Sequence, residues 1–253
     1  MMTTIETFIE VAKLAEQAER YDDMVSAMNG VVQMKGKGDE LSREERDLLS
    51  VAYKNAVGAR RASWKVVDML ITRKYGRDSE VAMDYWEEIA TEIMEICKGM
   101  LALLEENLIP GCQQAESTIF YLKMKGDYYR YWAETSTDEC DIKDYALEQS
   151  EKAYWIAFAA ANYDLLPTDP TRLGLALNFS IFYYDVLHNQ ENAYNVAERA
   201  FCDAVEELGS LDEKSYKDST LIIRILRDYM IEWAYGADDQ NEENAEGDQE
   251  NKN

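Results

Sequence analysis

The sequence predicts an all-α fold of nine antiparallel helices on three observations. Only three prolines, Pro110, Pro167 and Pro170, interrupt 253 residues. The strong helix formers Ala, Leu, Glu and Lys are abundant. Apolar residues recur every three or four positions through most of the chain. Thr4 to Ala18 and Asp22 to Lys35 carry this spacing, and Gly36-Lys37-Gly38 breaks it, so two short helices open the fold. Ser42 and Glu45 form a capping-box pair, and Leu48, Leu49, Ala52, Ala56, Ala59, Ser63, Val66, Val67 and Leu70 continue one stripe, which predicts a long third helix. From about Ser79, Tyr85, Ile89, Ile93, Ile96, Met100 and Leu103 predict a second long helix that Pro110 and Gly111 stop. Five more are expected at 117–135, 142–163, 170–187, 191–207 and 213–235, with Asp169-Pro170 as a cap followed by proline at the first helical position.

After Gly236 the composition changes. Residues 236–253 hold seven acids, one lysine and no apolar residue larger than Ala, so a helical domain over 1–235 is expected to end in a disordered acidic tail over 236–253. No 34-residue repeat is evident. Short joins between antiparallel helices still make a bundle or superhelical stack with a concave groove.

Asp and Glu outnumber Lys and Arg 50 to 26, and the net charge of −24 argues against nucleic acid or an anionic membrane as partner. No run approaches a membrane span and no signal peptide is expected, which points to the cytoplasm, with the nucleus as a second location. Cys97, Cys112, Cys140 and Cys202 are scattered without C-x-x-C spacing and read as reduced packing residues. His188 is the only histidine, so His-His metal motifs are absent. Its acid-x-x-His spacing from Asp185 would need a second copy to make a di-iron centre. Neither a metal, a cofactor nor an enzyme activity is expected.

Against this background Leu48 to Val67 carries Lys54, Arg60, Arg61 and Lys65 and no acid. Lys54 and Arg61 lie seven apart on one helix face, about 10 Å along the axis, and can converge. A guanidinium fork with an ammonium suits a phosphate dianion better than a carboxylate. By itself such a pair equally describes a solvated face with surface ion pairs. In the fifth helix Asp127, Arg130, Tyr131 and Glu134 follow at i, i+3, i+4 and i+7, so acids can hold a second arginine beside a phenol donor. In the seventh, Asn178 and Asp185 lie seven apart next to an apolar strip of Leu177 and Ile181. Leu221, Ile222 and Ile225 can complete the oily wall for an extended peptide, whose backbone Asn178 can hold.

These residues are recognisable together. Leu49-Ser50-Val51-Ala52-Tyr53-Lys54-Asn55, Gly58-Ala59-Arg60-Arg61, Lys125-Gly126-Asp127-Tyr128-Tyr129-Arg130-Tyr131 and Arg172-Leu173-Gly174-Leu175-Ala176-Leu177-Asn178-Phe179-Ser180 closely resemble 14-3-3 proteins. Ala15 to Asp22 and Tyr216 to Ile222 extend the resemblance almost to Trp233. It implies a W-shaped dimer of cup-like, nine-helix subunits that binds phosphoserine or phosphothreonine segments of client proteins and catalyses nothing. Lys54, Arg61, Arg130 and Tyr131 then match the phosphate cluster, Lys123 a basic groove residue and Asn178 the backbone contact. Leu177, Ile181, Leu221, Ile222 and Ile225 match the apolar wall.

The departures are as informative. Asp185 stands where the family usually has Glu, Tyr229 where it usually has Asn, and Glu232 where it usually has Leu. The Tyr ring is expected to fill part of the groove and weaken or redirect peptide binding. The alternative is a helical-repeat receptor for basic or unphosphorylated segments with an altered groove. At the dimer contact, Leu14, Ala18 and Tyr85 match the apolar positions and Arg20 with Glu92 an intersubunit ion pair, while Asp23 is expected to face Glu88 instead of the usual Lys. Two like charges there favour a heterodimer over the homodimer. Arg60-Arg61-Ala62-Ser63 reads as a basophilic kinase substrate at that same contact, and the tail as an internal competitor for the basic groove.

Overall fold

The computed structural model of the chain describes residues 4–136, 141–210, 216–217 and 219–234. Nine helices occupy them and no strand occurs among them. α1 (Ile5–Gln17) and α2 (Tyr21–Lys35) are followed by the long α3 (Arg43–Leu70) and α4 (Glu80–Leu103), then α5 (Ala115–Thr135), α6 (Asp141–Asp164), α7 (Pro170–Ile181), α8 (Gln190–Glu207) and α9 over residues 219–234. The expected tail lies outside the described residues, as does Cys140.

The caps sit where the sequence places them. Ser42 accepts from the Glu45 amide at 3.3 Å while Glu45 Oε2 accepts from the Ser42 amide at 2.7 Å, closing both arms of the capping box at α3. Asp169 accepts from the Thr171 and Arg172 amides at 2.7 and 3.3 Å, with Pro170 opening α7. The exposed His188 has φ 51°, a left-handed residue between α7 and α8, which is a backbone role and not a site.

Three wide turns were not foreseen. α3 runs on through Ile71–Tyr75, α4 through Leu104–Leu108 and α7 through Phe182–Val186, each with the i→i+5 pattern. After the second, one further turn, Ile109–Gly111, carries Pro110, so the proline follows a loosened stretch instead of stopping a regular one.

The chain divides into two units, Met1–Ala153 and Tyr154–Asn253. In the first, Met24, Met28, Val31, Leu49, Ile93 and Met100 are among the fully buried side chains that join α1 to α4 around one core. α1 and α2 meet closely because Gly30 has no side chain: a Cβ there would stand 2.5 Å from the Phe8 ring. In the second unit Tyr154 stacks on Phe179 at 5.5 Å. α8 buries Ala193, Ala197, Ala200 and Ala204, a small stripe that lets its neighbour approach. Arg172 donates to Asp203 at 2.7 Å and Ser219 to the Thr168 carbonyl at 2.6 Å, which ties the start of α9 to the loop before α7.

Candidate functional site

In the first unit, α3 and α5 bring the basic residues together. Arg61, from the middle of α3, donates to Glu134 Oε2 through Nε at 3.1 Å and Nη2 at 2.5 Å. Arg130 donates through Nη1 to the other oxygen of the same carboxylate at 3.1 Å. Its Nη2 lies 3.8 Å from Asp127 Oδ1, and Lys123 Nζ is 2.9 Å from Asp127 Oδ2. Glu134 is thus a bridge between two helices. The i, i+4 spacing announced its contact with Arg130; its grip on Arg61, seventy-three residues away, had no local signal.

The Tyr131 ring lies against both guanidinium groups. Arg61 Cζ lies 4.0 Å and Arg130 Cζ 4.7 Å from the ring centroid. Tyr128 braces the ring edge-on at 5.5 Å and is itself braced by Tyr53 at 6.2 Å. Burial, with the Asp127 charge second, pushes the Tyr131 phenol up to about 12, so at neutral pH it is a donor. Its hydroxyl makes no hydrogen bond among the described residues. Lys54 is exposed and likewise makes no ion pair or hydrogen bond among them.

The linked cluster therefore holds three cations, Arg61, Lys123 and Arg130, against two carboxylates, Asp127 and Glu134, in a chain of charge −24, and Lys54 stands two helical turns before Arg61 on α3. The acids fix the guanidinium planes without cancelling the positive field. Ordered guanidinium edges and an unengaged phenol O–H, with the Lys54 ammonium on the same helix as Arg61, are donors of the kind that can bind a multiply charged oxyanion. Burial pushes the nearby Cys97 thiol well up, which makes it a poor nucleophile.

In the second unit Leu177, Asn178 and Ile181 are half-buried on α7, and Asp185 is exposed in the wide turn that follows. That turn has more residues per revolution than a regular helix, so Asp185 does not keep the straight i, i+7 register with Asn178 that the spacing predicts. On α9 Leu221 is 60% exposed, Ile222 and Ile225 are half-buried, and Glu232 is exposed. The half-buried Tyr229 packs its ring on Trp233 at 5.4 Å, and Trp233 in turn stacks on Tyr184 at 4.8 Å. The ring has a partner of its own within this unit.

On the amino-terminal helices Leu14 is 65% and Tyr85 55% exposed, and Ala18 is exposed. Val11 and Val81 belong to the same helix faces, at three residues before Leu14 and four before Tyr85, and were missed. Within this chain Arg20 pairs with Asp23, while Glu92 accepts from Arg60 at 2.7 Å and Asp22 from Arg60 at 3.0 Å. Arg20 and Glu92 thus have other partners in the single chain, and Asp23 has a counter-charge beside it. Glu88 is exposed with no ion pair among the described residues. Ser63 is exposed on α3, its Oγ donating to the Ala59 carbonyl at 3.1 Å.

A family model described as 14-3-3 protein matches residues 11–234. The chain is 50% identical over 245 residues to 14-3-3 protein beta/alpha-1 of Oncorhynchus mykiss, an alignment covering 96% of this chain and 98% of that protein. It is 50% identical over 244 residues to 14-3-3 protein zeta of Bombyx mori, covering 96% and 97%. To 14-3-3-like protein 1 of Caenorhabditis elegans it is 49% identical over 247 residues, with 96% and 97% covered.

Proposed function

The chain belongs to the 14-3-3 family, and from that premise we propose that Lys54, Arg61, Arg130 and Tyr131 hold the phosphate of its clients. Proteins of this family are adaptors and not enzymes: they bind phosphoserine- and phosphothreonine-containing client proteins and form homo- and heterodimers. The observation that carries the assignment is the Glu134 bridge, which orders two guanidinium groups around the Tyr131 ring while Lys54 stays unengaged. Phosphate adds the second negative charge and the extra acceptors that this donor set exceeds a carboxylate by. Asn178, with Leu177, Ile181, Leu221, Ile222 and Ile225, then holds the extended chain on either side, and Lys123 adds positive field. Asp185, Tyr229 and Glu232 line the same path and set which sequences are accepted. Leu14, Ala18, Arg20, Asp23, Ser63, Tyr85, Glu88 and Glu92 make the dimer contact.

No helix among the described residues is long and apolar enough to cross a membrane. The family role supports a cytoplasmic site of action, where kinases generate the ligand.

The test is fluorescence anisotropy of an Arg-Ser-x-phosphoSer-x-Pro peptide and its unphosphorylated twin. Binding is expected only for the phosphorylated peptide. Lys54→Glu replaces an attractive charge by a repulsive one and is expected to weaken it about a hundredfold or more, two charge-assisted contacts' worth. Equal binding of the two peptides would transfer the assignment to a receptor for unphosphorylated segments.

A further inference from the structure

The last stretch of α6 differs from the rest of this acidic surface. Residues 154–163 contain no charged side chain, in a sequence that is 30% charged. They are not all core. Tyr154, Ala157 and Ala161 are buried, but Trp155 is 61%, Ile156 42% and Tyr163 90% exposed, and Leu166, just past the helix end, is 72% exposed. Trp155, Ala159 and Tyr163 are spaced four and four, so they form one outward stripe with a small residue at its middle.

Beside Trp155 opens a cleft of about 230 Å³, with Phe158, Phe179 and Tyr183 as its apolar lining and Asn192, Asn195 and Arg199 as its polar lining. It is below the roughly 300–1,000 Å³ of pockets that enclose whole small-molecule ligands, and suits a single side chain with a polar tip. Arg199 is exposed and makes no ion pair among the described residues. Phe179 and Tyr183 leave α7 on a face turned away from Leu177, Asn178 and Ile181, so filling this cleft does not compete with the proposed peptide path.

We propose that this cleft receives Tyr163 of a second copy of the chain, in a two-fold contact distinct from the amino-terminal one. An axis through Ala159, perpendicular to α6, pairs two antiparallel copies so that position 159−n faces 159+n. Trp155 then faces Tyr163 of the other copy, and the reverse holds four residues, about 6 Å, to the other side. The most exposed of these aromatic side chains and the residue at the mouth of the cleft thus lie at equal distances along the helix on either side of the one small residue of the stripe. Ala159 lets the helices approach, and the phenol reaches an amide- and guanidinium-lined pocket that satisfies its hydroxyl.

Charge and area set how strong this contact is. Two chains of charge −24 repel at a distance, yet the contacting stretch adds no charge of its own, so raising salt strengthens the association. A single helix stripe falls short of the roughly 800 Å² per partner that stable complexes bury, which makes the contact weak on its own. A family dimer presents the stripe twice, and two weak contacts act together.

Sedimentation velocity of the full chain over a concentration series tests this. Species larger than the dimer are expected, increasing with concentration and with salt. Tyr163→Lys and, separately, Ala159→Glu are expected to weaken that association about tenfold or more while leaving phosphopeptide anisotropy unchanged. Because Ala159 lies on the axis, Ala159→Cys is expected to cross-link to itself under mild oxidation, and adding Tyr163→Lys to slow it. Absence of any species above the dimer overturns the proposal. So does association insensitive to Tyr163→Lys, or cross-linking at position 159 that the second substitution leaves unchanged; any of these would leave the cleft to a client side chain.

Discussion

At Tyr131 one ring lies against two guanidinium groups, 4.0 and 4.7 Å from its centroid, and on the proposed function its hydroxyl donates to the phosphate. Tyr131→Phe keeps the ring and deletes the donor, so affinity for the phosphorylated peptide is expected to fall about tenfold with no loss of melting temperature. Since the phenol is pushed up to about 12, it does not titrate near neutrality. The pH dependence of binding therefore follows the ligand: affinity falls as pH drops through the second phosphate pKa near about 6, and an anisotropy titration from pH 8 to 5 checks it. The residue-level departures can be separated in the same assay. Tyr229→Asn with Glu232→Leu is expected to tighten binding to the standard peptide, at a cost of about 1 kcal/mol in stability from the lost stack on Trp233. Unchanged affinity would mean that the ring, held by Trp233, stays clear of the ligand. The contact of Arg130 with Glu134 was legible because i, i+4 spacing is written along the chain. The sharing of Glu134 between Arg61 and Arg130 was not, because it depends on how two helices distant in sequence lie together.

At the scale of elements, the start of α3 combines a capping box with an ion pair, Lys35 Nζ to Glu45 Oε2 at 2.8 Å. Burial alone would raise the Glu45 carboxyl, but hydrogen bonds from Lys35 and Ser42 outweigh it and hold the group below the usual carboxylate range. A depressed carboxylate stabilises the fold above its unfolded value, about 4.3, and that contribution is lost as pH falls through the lower folded value. Glu45→Gln is expected to cost about 1–2 kcal/mol at neutral pH and progressively less in acid, which denaturant melts at pH 7 and pH 3.5 would show. The helices and their caps were readable from periodicity, Ser42, Glu45, Asp169 and Pro170. The wide turns at Ile71–Tyr75, Leu104–Leu108 and Phe182–Val186 were not, since they continue the apolar pattern and are decided by packing. The outward stripe at Trp155 and Tyr163 escaped for a related reason. Apolar spacing says that a helix has an oily side, not whether anything covers it.

For the whole molecule the charge of −24 matters most where subunits meet. Glu88 has no counter-charge among the described residues, whereas Asp23 has Arg20 beside it. Glu88→Lys is expected to strengthen the homodimer by about 1 kcal/mol, roughly fivefold in dissociation constant, measured by sedimentation equilibrium. A homodimer already as tight as that variant would remove the case for preferred heterodimers. The Glu134 bridge also bears on the molecule's work as a switch. Both arginines are already supplied with a carboxylate before any client arrives, at 2.5 and 3.1 Å. An aspartate or glutamate engineered into a client as a mimic of phosphorylation brings one charge and two acceptors, no more than Glu134 already gives. Such mimics are expected to fail against this protein. On the proposed function Glu134 is then expected to act as a built-in decoy that sets a threshold, so that ordinary acidic segments bind poorly and phosphorylated ones bind well.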